Sequence, residues 1–132
     1  MTQDALTKEV GKLVDGVISD PRWKKENDDL GVSILGMIIY GYAMMVGRTV
    51  MFLDMEDIDG AVLRCLTERV KVATKWGTGL VGEARASAID KNHHIGQAEL
   101  IGVGHSYFGV EDRAAIIDNV FQNIASFRKR VK

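Results

Sequence analysis

The densest chemistry in this sequence is anionic. Asp54, Glu56, Asp57 and Asp59 place four carboxylates within six residues, directly after a long apolar stretch. At the start of a helix such groups complement the dipole and cap free N–H groups, which accounts for two or three of them. Asp54 is the residue placed to act as the cap. The remaining carboxylates form an acidic surface complementary to a basic protein partner. Glu26, Asp28 and Asp29 flank the same apolar stretch on its other side.

The other reactive groups lack partners at useful spacing. His93 and His94 lie in the loop Asp90 to Gly96, near Gln97 and Glu99, where two imidazoles and a carboxylate could in principle ligate zinc. Adjacent histidines rarely face one ion, and neither an i, i+4 pair nor an H-E-x-x-H pattern occurs, so a solvated loop is the favoured reading. Gly77-Thr78-Gly79-Leu80-Val81-Gly82 matches G-x-G-x-x-G, the turn that lets a pyrophosphate approach a helix N-terminus. The segment before it, Val70 to Trp76, carries two lysines and falls on a helical stripe instead of forming the required buried strand. These glycines are read as a helix stop and turn, with Gly79 at a position suited to positive φ.

Gly104-His105-Ser106 begins like a nucleophile elbow, but Phe108 stands at the fifth position and no histidine follows Ser106. Tyr107 and Phe108 are expected to anchor a turn there. Cys65, the single cysteine, lies on an apolar stripe and reads as a small core hydrophobe. Met37, Met44, Met45, Met51 and Met55 read mainly as core fillers. Arg128, Lys129, Arg130 and Lys132 complement the end of the last helix, without the basic field and stacking aromatics of a nucleic-acid surface.

These groups must be positioned by helices. Leu6, Val10, Leu13, Val14, Val17 and Ile18 form one stripe and predict a helix over 2–19. Pro21 after Asp20 marks the start of a second, as N1 after an N-cap. Residues 30–53 are apolar nearly all round and predict a central buried helix, with a membrane span and two strands as alternatives. A helix over 56–76 carries Ile58, Val62, Cys65, Leu66, Val70, Ala73 and Trp76 and is closed by Gly77 and Gly79. Shorter helices are expected over 80–89 and 97–103, and a long one over 110–130. The expected fold is all-α, an irregular helical bundle around the central helix 30–53, with 1–132 as a single domain.

With 132 residues, 46% hydrophobic and 27% charged, the composition is that of a globular chain, not a disordered one. One cysteine excludes an intrachain disulfide, and Asp4, Lys8 and Glu9 interrupt any secretory apolar segment, so a cytoplasmic protein is expected. Residues 1–66 hold 11 acids and 7 bases, and residues 67–132 hold 7 acids and 10 bases. That split gives a bipolar surface if the halves stay apart.

No motif assembles a nucleophile, base or metal shell. The favoured function is therefore a non-enzymatic protein-binding module without a cofactor. Its concrete form is a small bacterial immunity or antitoxin-type protein that occludes a basic toxin or nuclease through Asp54, Glu56, Asp57 and Asp59. Neither nucleic acid nor membrane is expected as a partner, and a homodimer is a further possibility. The second reading is a small nucleotide-binding protein or enzyme using Gly77 to Gly82 with His93, His94 or Glu99, and the third is a membrane-associated adaptor inserting the 30–53 segment. The fold expectation is checked by far-UV circular dichroism, which should be helix-dominated; a sheet-dominated spectrum would contradict it.

Overall fold

Apolar periodicity and capping account for most of the helices in the computed structural model, which describes residues 2–131. Among these residues there are seven α-helices and no strand. They are α1 (Gln3–Ile18), α2 (Trp23–Glu26), α3 (Asp29–Met45), α4 (Met55–Cys65), α5 (Thr74–Ile89), α6 (Ile95–Ser106) and α7 (Arg113–Arg130). π-helical turns over Val46–Val50 and Leu66–Val70 prolong α3 and α4. Side chains cap several starts, with Thr2, Asp28, Asp54 and Asp112 each accepting from a backbone N–H three residues on.

The central helix lies where its composition requires. α3 buries an almost unbroken run from Gly31 to Ala43, and Tyr40, Ile38, Ile39 and Leu35 are fully enclosed. The helical segment Asp29–Val50 is long and apolar enough to cross a membrane, yet 72% of its apolar window is buried inside the fold. The neighbours supply that cover. α1 turns Leu6, Val10, Leu13, Val14 and Val17 inward, and α7 adds Ile116, Val120, Phe121 and Ile124 to the same core.

α6 crosses α3 at backbone contact. A Cβ at Gly41 would lie 2.0 Å from the Ile101 carbonyl oxygen, and one at Gly104 would lie 1.9 Å from that of Ile38. Only glycine permits this approach. The crossing fixes where α5 and α6 stand relative to the core.

The expected helix over 56–76 is corrected. The chain leaves the helix at Lys71, which takes a left-handed conformation (φ 72°), and α5 then runs from Thr74 straight through Gly77, Gly79 and Gly82. Val70 and Val72 both pack against the core. Two residues apart on a helix they would face opposite sides, so burying both requires the chain to leave the helix between them. Gly79 lies inside a helix and has no positive φ, so it neither stops one nor forms a turn. Asp20 and Pro21 form the turn between α1 and α2, with Asp20 accepting from the Arg22 N–H at 2.9 Å, and α2 starts at Trp23.

The oppositely charged halves interlock. Arg69 pairs with Asp15, Arg85 with Asp59 at 2.8 Å, and Arg128 with Asp28 at 2.7 Å and Glu26 at 2.9 Å, while Arg22 and Asp118 pair in the reverse sense at 2.8 Å. The charge asymmetry is thus partly consumed in pairs across the chain.

The α3–α6 crossing predicts opposite outcomes for two glycines of one helix. Gly104→Ala should destabilise by about 2 kcal/mol through backbone overlap, whereas Gly102→Ala, with nothing within 4 Å of an added Cβ, should stabilise by about 1 kcal/mol. Urea unfolding of both variants tests this, and equal effects would contradict the crossing.

Candidate functional site

The acidic cluster lies at the corner where α3 gives way to α4. The π turn ends α3, and Leu53 N–H closes it by donating to the Gly47 carbonyl at 2.8 Å. Phe52, between them, sits at φ 56° with 85% of its surface exposed. This left-handed position after a helix is normally taken by glycine, because a Cβ there crowds the carbonyl. Among the described residues, Lys71 and Phe52 are the two non-glycine residues with positive φ.

The four carboxylates divide by role. Asp54 caps α4, accepting from the Asp57 N–H at 2.9 Å. Glu56 is exposed and shares a cavity of about 540 Å³ with Arg48, Phe52, Leu53 and Arg85. Asp57 is half-buried; desolvation, together with the charges of Asp54 and Glu56, holds its carboxyl above the usual range. Asp59 turns inward. It accepts from the Tyr40 hydroxyl at 2.5 Å and from Arg85 Nη1 at 2.8 Å, and only 22% of its side chain is exposed.

That last network ties α3, α4 and α5 together beneath the corner. Tyr40 is fully buried, and burial followed by the Asp59 carboxylate raises its pKa far above the ordinary value, so it remains a donor. Asp59 therefore holds the corner in place, and Asp54, Glu56 and Asp57 are the carboxylates left near its surface. The arrangement offers an exposed aromatic ring, flanking carboxylates and two guanidinium groups.

The remaining sequence candidates are dispersed. His94 caps α6, its Nδ1 accepting from the Gln97 N–H at 3.1 Å, while His93 Nε2 lies 3.3 Å from the Glu83 carboxylate. Glu99 accepts from Arg130 at 2.7 Å on another side of α6. Among the described residues no group of three His, Cys, Asp or Glu side chains could hold a metal ion. The Gly77 to Gly82 segment, being helical, forms no phosphate-cradling loop.

Cys65 is fully buried, its thiol pushed up to about 11 by burial. Ser106 donates to the Val103 carbonyl at 2.5 Å, and Tyr107 anchors its turn by donating to Asn119 at 2.8 Å. Met37 is buried, and Met44, Met51 and Met55 pack against the core. Of the C-terminal basic cluster, Arg128 and Arg130 are paired with acids, and Lys132 lies outside the described residues.

Sequence reasoning missed Phe52, Arg48 and Arg85. Val50, Met51, Phe52 and Leu53 read as the tail of the apolar stretch over 30–53, which places the ring in the core. The signal available was a bulky aromatic two residues before an Asp cap, where the chain has to reverse. No family model matches this chain, and neither a curated protein nor a solved structure is significantly similar to it.

The two roles within the cluster separate by stability. Asp59→Ala should cost about 2 kcal/mol by leaving the buried Tyr40 hydroxyl without an acceptor, while Glu56→Ala should stay within about 0.5 kcal/mol of the parent. Adding Tyr40→Phe to Asp59→Ala should cost less than the sum of the single changes, since the orphaned hydroxyl is then gone. Urea unfolding of the four variants checks this; a silent Asp59→Ala would return that carboxylate to the surface.

Proposed function

We propose that this chain is a non-enzymatic protein-binding module that engages a basic protein partner through the α3–α4 corner. The observation that carries this reading is Phe52. A fully presented phenylalanine in a left-handed conformation is unfavourable twice over, in exposed apolar surface and in backbone strain of about 1 kcal/mol. Strained residues persist where the surrounding structure holds them, and they cluster at binding sites. The ring shares its cavity with Asp54 and Glu56 and with Arg48 and Arg85, a charged rim around an aromatic anchor, and interfaces pair an apolar centre with a polar rim.

Arg85 is paired with Asp59, so Asp54, Glu56 and Asp57 outnumber the remaining guanidinium, Arg48; that excess favours a cationic surface on the partner, and these carboxylates would steer its approach in a salt-dependent manner. An immunity or antitoxin-type protein that covers the basic cleft of a toxin is the concrete form of this reading. Binding alone suffices for such a role. Nothing in it requires a cofactor.

The test exploits the strain. Phe52→Gly should raise stability by about 1 kcal/mol, because glycine is at ease at φ 56°. Lys71→Gly should stabilise similarly and serves as the control. Affinity capture from the native host, with bound proteins identified by mass spectrometry, should retain a basic protein stoichiometrically on the parent and on Lys71→Gly, and lose it on Phe52→Gly and on Glu56→Lys. Equal retention by all four would exclude the corner as the contact surface.

A further inference from the structure

We infer that the exposed face of α5 is a self-association surface, on which a second copy of this chain packs with its own α5 antiparallel to the first. The order of charges along α5 carries the inference. In α4 and α7 the charges follow the helix dipole: Glu56 and Asp57 open α4 and Arg64 closes it, while Asp112 caps α7 and Arg128, Lys129 and Arg130 end it. α5 runs the other way. Lys75 stands in its first turn, Glu83 lies past its middle, and Asp90 follows its last residue. That order works against the helix that bears it.

Lys75 and Glu83 are also too far apart to relieve one another. Eight residues separate them, about 12 Å along the axis, whereas ion pairs within a helix form three or four residues apart. A partner for this face needs an acid where α5 has a base and a base where it has an acid, at that same spacing. α5 itself, reversed, has them. When two copies cross antiparallel at Gly79, positions equally far on either side of it come level, so Lys75 of each copy meets Glu83 of the other across one twofold axis.

The shape of the face agrees with its charge. Gly79 and Gly82 are exposed, and an added Cβ on either would meet nothing within 4 Å, so a second helix has room to approach as closely as α3 and α6 do at Gly41 and Gly104. Trp76, Leu80 and Glu83 mark one flank of α5, where a groove of about 730 Å³ opens towards Ser33 of α3 and Gln97 of α6. Leu80, seated against Gly36 of α3, gives that groove an apolar floor. A twofold axis keeps each side chain on its own flank, so Trp76 of the second copy arrives level with Gly82, beside the groove. The indole, 37% exposed in the single chain, is covered there, and buried aromatic rings are the usual anchors of such contacts.

The surface is separate from the α3–α4 corner, and charge reversal tests it. In sedimentation velocity of the whole chain over a concentration series, the parent should dimerise with a dissociation constant below about 100 µM, and more weakly as salt rises. Lys75→Glu and Glu83→Lys should each raise that constant at least about tenfold, because each sets like charges face to face. The combined Lys75→Glu/Glu83→Lys variant should restore the dimer, and Phe52→Gly should dimerise as the parent does. Both reversed residues are exposed, and circular dichroism melting confirms that the variants are folded. A parent still monomeric at about 100 µM, a dimer indifferent to either single reversal, a double reversal that fails to restore it, or a dimer lost on Phe52→Gly would each overturn the inference.

Discussion

The fold depends on the contact of two helix backbones. Where Gly41 meets the Ile101 carbonyl and Gly104 meets that of Ile38, α3 and α6 approach more closely than any side chain allows. α3 is apolar on all sides and must be covered on all sides. α6 covers one side at contact distance, and α1, α4, α5 and α7 close the rest. The position of α5 follows, because it packs on both α3 and α6. The corner beneath Phe52 is a consequence of that placement, since Arg85 of α5 reaches Asp59 of α4.

Much of this was legible in the residues. The stripes of α1 and α7 and the unbroken apolar run of α3 identify a helical bundle around a central helix, because burial on one face, or on all, leaves a period in the sequence. The boundary at Lys71 was not legible. Its cause is tertiary: Val70 and Val72 both pack on the core, and the helical period continued through Ala73 and Trp76 as if no break occurred. The glycines of α5 misled for a related reason. Propensity marks Gly77 and Gly79 as stops, and packing overrides propensity.

The acidic cluster was legible as a cluster and illegible as a surface. Four carboxylates within six residues look equivalent in the sequence. On the helix they point in different directions, so Asp54 caps, Asp59 meets Tyr40 and Arg85, and Glu56 meets solvent. Phe52 shows the converse. An aromatic residue at the end of an apolar run is expected inside, and only the left-handed turn that reverses the chain puts it outside. The strained, exposed ring at Phe52 runs against the molecule's own stability and lies at the edge of a cavity.

The proposed docking of a partner protein at the Phe52 corner is tested most directly by hydrogen–deuterium exchange of the chain alone and in complex with the partner retained by affinity capture. Slowed exchange is expected only in the segment from Arg48 to Asp57, with α7 and the exposed face of α5 unchanged. Slowed exchange centred on α5 or on the C-terminal basic residues, with the Arg48 to Asp57 segment unaffected, would contradict it.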